Sequence, residues 1–157
     1  DIHYHPDLNM VADAQNLPLK PSSIDGVICC GLIHLVPEPK KVISQIYEVL
    51  REGGIAFFSI PFLFPYHGKP NGNDYYRFTK DSIVYMLKDF KKIKIQPEGD
   101  YLVTALNFLT GFKFRYGLWT KCVEYLSKIL GKIISMFRGK DINRLHNPIG
   151  FNVLAIK

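Results

Sequence analysis

The stretch that decides the fold runs from residue 22 to residue 61: SSIDGVICCGLIHLVPEPKKVISQIYEVLREGGIAFFSIP. It opens with a continuous apolar run, Val27 to Cys30, that follows a turn signal. A short apolar run bounded by turn residues is typical of a strand that is buried on both faces of a parallel sheet. The run therefore predicts a central parallel strand.

A helical pattern and a second strand follow within the same stretch. From Pro39 to Leu50 the apolar residues recur every three or four positions, which predicts an amphipathic helix with its proline in the first turn. We expect Gly53 and Gly54 to end this helix as a C-terminal cap. The apolar segment IAFFSIP, residues 55–61, predicts the next strand. Strand, helix and strand with short connections form a βαβ crossover.

The remaining elements are predicted from caps and alternation. Thr79 has the character of a helix N-cap, Asp81 suits the first turn, and the amphipathic pattern continues to about Phe90. Residues 91–98 and 150–157 alternate between apolar and polar positions as strands do. The length of 157 residues suits one globular domain, and the fold class is α/β.

The positive charge is concentrated in one segment, residues 103–140. This segment holds seven of the 20 basic residues and one of the 14 acidic residues, so the rest of the chain is neutral. A neutral body argues against a general nucleic-acid binder, and we expect no nucleic-acid partner.

The same segment is predicted to be an amphipathic helical insertion before the last strand. An apolar stripe covers one face, and Lys121, Lys128 and Lys132 lie on the other. The stripe comprises Trp119, Val123, Leu126, Leu130, Ile133 and Phe137. Two interpretations remain open: a lid over the protein's own cleft, and a peripheral contact with an anionic membrane surface.

The cysteines and the hydropathy indicate an intracellular environment. Adjacent Cys29 and Cys30 point to opposite faces of a strand, so they form a poor disulfide pair, and we expect both to be core residues of a reduced protein. No uninterrupted apolar run reaches the length of about 18 residues that a membrane-spanning helix needs. We expect a cytoplasmic protein, with peripheral membrane contact as the alternative.

A set of short motifs in residues 10–79 resembles the class I S-adenosylmethionine-dependent methyltransferases that act on small molecules. Each motif is weak alone, but their order and spacing are specific. They are Asp13-Ala14, Leu17-Pro18-Leu19, Asp25 at the head of a strand, His34 in the following turn, the helix end Leu50 to Gly54, and the region from Pro61 to Thr79. The resemblance covers roughly half of the chain and implies a Rossmann-like sheet whose last two strands are antiparallel.

The glycine-rich loop of that family has no match in this chain. The resemblance therefore implies that residues 1–157 are the C-terminal part of a single methyltransferase-like domain, with the 103–140 insertion inside it. We expect Asp1 to be the acid that holds the ribose hydroxyls of the cofactor. We also expect the 157-residue chain alone to bind S-adenosylmethionine weakly.

The resemblance implies a cofactor site at the ends of the strands. Asp13, beside Ala14, is predicted to accept a hydrogen bond from the adenine amino group. The alternative is a turn aspartate that caps its own backbone. Cys30, Gly31 and Leu32 are predicted to line the methionine half, where a glycine permits close approach of the backbone. His34 is expected to be structural.

The region from residue 61 to residue 79 is the predicted acceptor side. His67 is the candidate general base, because an imidazole titrates near pH 6.5. Aromatic walls are predicted from Tyr66, Tyr75 and Tyr76, and Arg77 is predicted to hold a carboxylate or phosphate. The alternative pairs Arg77 with Asp74, while Phe78 and Thr79 are structural.

The predicted function is methyl transfer to a small-molecule, sugar or lipid-linked hydroxyl acceptor. The hydroxyl acceptor is the first choice, because the 61–79 region is similar to that of family members of polysaccharide and lipid-linked sugar pathways. A carboxyl or amine acceptor is the next choice. The rival is a non-catalytic membrane-associated or partner-binding module on the same scaffold. A nicotinamide-dependent oxidoreductase is disfavoured because the chain lacks a GxGxxG motif, and no metal-site spacing is present.

Overall fold

A computed structural model describes residue 2, residues 4–66, 73–99 and 148–157, and the single positions 104, 105, 108, 125 and 129. The predictions for Asp1, for His67 and for the remainder of the 103–140 insertion lie outside these residues. The described elements follow the order β1 (Ile24–Cys30), α1 (Pro39–Val49), β2 (Leu50–Pro61), α2 (Lys80–Met86), β3 (Lys92–Glu98) and β4 (Gly150–Ile156).

The four strands form one mixed sheet in the order β1-β2-β4-β3. β1 and β2 are parallel, whereas β4 pairs antiparallel with both β2 and β3. The predicted βαβ unit and the predicted antiparallel last pair of strands are both confirmed. Pro97 lies in β3 at an edge of this sheet, where a residue that cannot donate a backbone hydrogen bond is tolerated.

The core lies between one face of the sheet and the two helices. α1 buries the stripe that its spacing predicted, and α2 contributes Ile83 to the same cluster. The sheet contributes the alternate residues of β2 and β4. These are Ala56, Phe58, Ile60, Phe151, Val153 and Ala155. Since successive strand residues point to opposite faces, the periodicity of each element decides which residues enter the core.

The expected burial of β1 on both faces is wrong for the described residues. β1 lies at an edge of the sheet they form, and Ile28 is 80% exposed because it points away from the helices. Cys29 is buried as expected, but Cys30 points to the opposite face and is exposed. One apolar run therefore contains two different environments.

The predicted glycine cap of α1 is also wrong. α1 ends because Leu50 is extended, with φ −68° and ψ 139°, and Leu50 already pairs with Ile24 in the sheet. Gly53 and Gly54 lie inside β2, where the pairing skips from Leu50 to Ile55. The glycines thus form a bulge in a strand.

α2 begins as predicted and ends earlier than predicted. The Thr79 side chain accepts a hydrogen bond from the Ser82 N–H at 3.2 Å, and Asp81 lies in the first turn. The helix ends at Met86, and residues from Leu87 to Phe90 form a turn whose Phe90 N–H donates to the Leu87 carbonyl. In the described part of the chain, no helix combines the length and the apolar character needed to cross a bilayer.

Candidate functional site

A cavity of about 330 Å³ lies at the carboxyl ends of the parallel strands β1 and β2. Its lining comes from the end of β2, from the loops after β1 and β2, and from the facing ends of β3 and β4: Gly31, His34, Ser59, Ile60, Pro61, Phe64, Glu98, Ile149 and Gly150. Ligands of open α/β sheets bind at this edge, outside the carboxyl ends of the strands. The topology therefore marks this cavity as the candidate site.

Gly31 lines the cavity directly after the end of β1. Its backbone φ is 61°, a value that residues with a side chain rarely adopt. Its N–H donates to the Ser59 carbonyl at 3.0 Å. A Cβ at Gly31 would meet no other atom within 4 Å, so open space lies beside the backbone. Cys30 and Leu32 flank it in sequence. This arrangement leaves room for a group to approach the end of β1.

His34 is a wall of the cavity and is almost fully buried, with 2% of its surface exposed. Its carbonyl accepts hydrogen bonds from the Tyr75 N–H at 2.9 Å and from the Tyr76 N–H at 3.3 Å. These bonds join the loop after β1 to the segment before α2. The burial and the backbone ties agree with the structural role expected for His34.

Asp13 lies in a turn outside the cavity lining. Its Oδ1 accepts the Gln15 N–H at 2.8 Å, and the carboxylate is on an exposed residue. Ala14 packs against the hydrophobic core. The turn is held to α1 by two further bonds, in which Gln15 Oε1 accepts the Glu38 N–H and Gln45 Oε1 accepts the Leu17 N–H. Asp13 thus makes the backbone-capping bond of the alternative interpretation, and its Oδ2 accepts a long hydrogen bond from Gln15 Nε2 at 3.4 Å.

The predicted acceptor residues fall into two groups. Tyr66 is 75% exposed, and Tyr75 and Tyr76 are 46% and 38% exposed with ring centroids 5.9 Å apart. Tyr76 also donates its hydroxyl to the Pro37 carbonyl at 2.8 Å. Arg77 forms an ion pair with Asp74, as the alternative interpretation had it. None of these residues belongs to the cavity lining.

The sequence analysis did not identify three polar residues that line or support the candidate site. Glu98 and Ser59 line the cavity, and Gln45 fastens the Asp13 turn to α1. Glu98 is the last residue of β3, and Ser59 is the polar residue near the end of an apolar strand. In the sequence, Ser59 and Glu98 could have been recognised as polar residues at the carboxyl ends of predicted strands, because these ends meet at the ligand-binding edge of the sheet.

Residues 3–58 match the profile of a family described as a methyltransferase domain. A 2-methyl-6-phytyl-1,4-hydroquinone methyltransferase of Oryza sativa subsp. japonica is 38% identical over 47 residues, which are 30% of this chain and 14% of that protein. An arsenite methyltransferase of Rattus norvegicus is 38% identical over 55 residues, which are 35% of this chain and 14% of that protein. A thiol S-methyltransferase of Mus musculus is 37% identical over 57 residues, which are 36% of this chain and 23% of that protein. The matched part of the chain therefore spans well under two thirds of the length of these curated relatives.

Solved structures share the fold at low sequence identity. A methyltransferase from Thermotoga maritima, described as a possible histamine N-methyltransferase, superposes with a TM-score of 0.56 at 15% identity, covering 94% of this chain and 63% of that one. A methyltransferase from Archaeoglobus fulgidus gives a TM-score of 0.54 at 15% identity, covering 94% and 66%. Residues 3–58 are therefore similar to a methyltransferase domain, and the chain shares the fold of these S-adenosylmethionine-dependent methyltransferases.

Proposed function

We propose that the protein to which this chain belongs transfers the methyl group of S-adenosylmethionine to a small-molecule acceptor. The observation that carries the proposal is the cavity beside Gly31, at the carboxyl ends of β1 and β2. The relatives named above support the class of acceptor, since their names refer to a hydroquinone, to arsenite and to a thiol. All three are small molecules.

The residues present fit the cofactor in two places. The open space beside Gly31 suits close packing against the methionine half, and the exposed Cys30 is the last residue of β1 beside it, while Leu32 packs against the core. Asp13 is exposed, and its Oδ2, which accepts a long hydrogen bond of 3.4 Å from Gln15 Nε2, can also accept the adenine amino group, while Oδ1 holds the turn. Asp13 thus serves a structural bond and a cofactor bond with different atoms.

The chemistry asks little of the protein's side chains. When bound, the sulfonium of the cofactor supplies an activated methyl group, so the protein has to align the acceptor and exclude water. Ile60, Pro61 and Phe64 give the cavity an apolar wall, which suits water exclusion. For a hydroxyl acceptor, which includes a sugar or a lipid-linked hydroxyl, His67 is the proposed general base. Tyr66, Tyr75 and Tyr76, which lie outside the cavity lining, are the proposed aromatic walls of a wider acceptor side.

Cofactor binding by the intact purified protein is the first test. We expect ultraviolet absorbance of a bound nucleotide, or saturable calorimetric binding of added S-adenosylmethionine. Absence of both would contradict the proposal and favour the non-catalytic alternative, a partner-binding module on the same scaffold.

Substitution of Asp13 is the second test. Asp13→Ala removes both hydrogen bonds, and we expect it to weaken cofactor binding by about 1 to 3 kcal/mol, the cost of an unsatisfied partner group. Asp13→Asn keeps an oxygen for the Gln15 N–H, so it preserves the turn and reports the carboxylate charge separately. The control is Asp25→Asn, an exposed carboxylate at the opposite end of β1. An unchanged dissociation constant for Asp13→Ala would remove Asp13 from the site.

A further inference from the structure

Asp74 and Arg77 form a partly buried ion pair beside the candidate site. Two nitrogens of the guanidinium bond the two carboxylate oxygens: Arg77 Nη2 donates to Asp74 Oδ2 at 2.6 Å, and Nη1 donates to Oδ1. The Asp74 side chain is 0% exposed and that of Arg77 is 26% exposed. The hydrogen bond and the charge of Asp74 raise the pKa of Arg77, so the guanidinium stays protonated.

The other donors of Arg77 are also used within the protein. Nε donates to the Phe64 carbonyl at 3.1 Å, and Nη2 donates to the Pro65 carbonyl at 3.1 Å. Nη1 donates to the Tyr76 carbonyl at 2.8 Å. With the two bonds to Asp74, this accounts for all five N–H donors of a guanidinium. An anionic group on an acceptor would have to displace one of these bonds.

Arg77 therefore fastens the loop after β2, to which Phe64 and Pro65 belong. The same short segment fastens the loop after β1 from its other side. There the N–H groups of Tyr75 and Tyr76 bond the His34 carbonyl, and the Tyr76 hydroxyl bonds the Pro37 carbonyl. Residues 74–77 thus hold the two loops that follow neighbouring parallel strands.

We propose that Asp74 and Arg77 are a positioning pair that holds the loops after β1 and β2 together and so sets the shape of the acceptor side of the cavity. His34 from one loop and Phe64 from the other are both cavity walls, and both are bonded by this segment. The proposal rests on the proposed function for the meaning of the cavity. Arg77 acts through Phe64, Pro65 and Asp74 and does not contact the acceptor.

Stability and positioning can be separated by replacing both members of the pair. Removing one partner leaves an uncompensated buried charge, whereas a buried ion pair replaced by apolar residues of similar volume often leaves a protein as stable as before. The informative variant is therefore Asp74→Leu with Arg77→Met. The matched control is Asp25→Leu with Arg51→Met, which removes an exposed pair, Nη1 to Oδ1 at 2.6 Å, at the opposite end of β1.

Hydrogen exchange of the intact protein tests the positioning directly. In the Asp74/Arg77 variant we expect the amides of Tyr75 and Tyr76 to exchange about tenfold faster, the effect of losing one net hydrogen bond. We expect the amides of β1 and β2 and the denaturant midpoint to remain as in the control. Unchanged protection at Tyr75 and Tyr76 would overturn the proposal.

The His34 imidazole reports the shape of the cavity wall. Its ring resonances, assigned by their loss in His34→Asn, are expected to shift in the Asp74/Arg77 variant and to stay in place in the Asp25/Arg51 control. A shift equal in both variants would overturn the proposal.

Direct acceptor contact by Arg77 is tested with inorganic phosphate as the probe. We expect Arg77→Lys to leave any calorimetric binding of phosphate unchanged, since every N–H donor of Arg77 has a partner within the protein. Phosphate binding that depends on Arg77 would overturn the positioning role. S-adenosylmethionine binding is measured in the same samples. If the wild-type protein does not bind S-adenosylmethionine, the proposed function is contradicted. The hydrogen-exchange result then still decides whether the pair holds the two loops.

Discussion

At the scale of single residues, the two adjacent cysteines of β1 show that a shift of one position along a strand changes the exposure and the reactivity of a side chain. Cys29 is buried, and burial, with a smaller effect of Cys30, raises the pKa of its thiol from 9.0 to about 11. Cys30 points to the other face of the sheet and is exposed. Only a thiolate is a good nucleophile, so the two neighbours are expected to differ in reactivity.

We expect iodoacetamide to modify Cys30 at pH 8 and to leave Cys29 unmodified until the protein unfolds. Tandem mass spectrometry of the peptide with both cysteines locates the label, and Cys30→Ser is the control that removes the fast site. Because the folded pKa of Cys29 lies above 9.0, the neutral thiol contributes stability that is complete below pH 9.0 and is lost as the pH rises towards about 11. Fast labelling of Cys29 in the folded protein would contradict the burial of its thiol.

At the scale of elements, the start of β2 is organised by two glycines in a bulge. Gly53 has φ 76°, and its N–H donates to the Lys157 carbonyl at 3.1 Å. The Lys157 N–H donates in return to the Gly54 carbonyl at 3.0 Å, and Lys157 Nζ donates to the Leu50 carbonyl at 2.7 Å. The end of β4 is therefore bonded to both the helix end and the bulge.

Alanine substitutions distinguish the bulge from an ordinary strand position. A Cβ at Gly54 would lie 2.8 Å from the Arg51 carbonyl oxygen, so Gly54→Ala is expected to lower the free energy of unfolding by about 1 to 3 kcal/mol. Gly53→Ala meets no atom but carries a positive φ, and we expect a loss of about 1 kcal/mol. Gly26→Ala, whose nearest atom is at 3.7 Å, is the control and should cost little.

Urea denaturation measures all three variants. Equal stability of Gly54→Ala and Gly26→Ala would contradict the bulge geometry, because only one of these positions lacks space for a methyl group.

At the scale of the whole molecule, the two faces of the sheet differ among the residues that the structure describes. α1 and α2 cover one face, while Ile28, Ile55 and Leu154 on the other are 80%, 44% and 38% exposed. The basic segment at 103–140 carries the excess charge of the chain. Of this segment the structure describes few positions, and Tyr125 and Ile129 among them are helical and exposed. The choice between a lid and a membrane contact therefore rests on experiment.

The membrane alternative predicts binding of the intact protein to anionic vesicles. Each lysine near an anionic surface contributes about 1 kcal/mol, so changing Lys121, Lys128 and Lys132 to glutamate is expected to lower the bound fraction by about 100-fold or more. High salt should have a similar effect, because it screens the same charges. Co-sedimentation measures both effects.

The matched control changes Lys88, Lys92 and Lys94, which are exposed and outside the segment, to glutamate. This control alters the net charge equally. Equal recovery on neutral and anionic vesicles, or none on either, would contradict the membrane alternative and leave the stripe as packing within the protein.

The sequence by itself determined the elements whose causes are local. The burial of α1, the cap at Thr79 and the alternation of β4 follow from spacings of one to four residues, so they could be recognised without the rest of the chain. The order of motifs from Asp13 to Gly54 likewise indicated the methyltransferase fold, which the superposition on solved methyltransferases confirms.

Only the tertiary structure decided matters that depend on distant partners. Leu50 ends α1 because Ile24 pairs with it, and Cys30 is exposed because it faces away from the helices. The sequence left two roles open for Arg77, and the choice depends on carbonyl groups 12 and 13 residues earlier in the chain. Hydrogen bonds between segments require folded geometry, and no periodicity or local propensity encodes which distant carbonyl a guanidinium will meet.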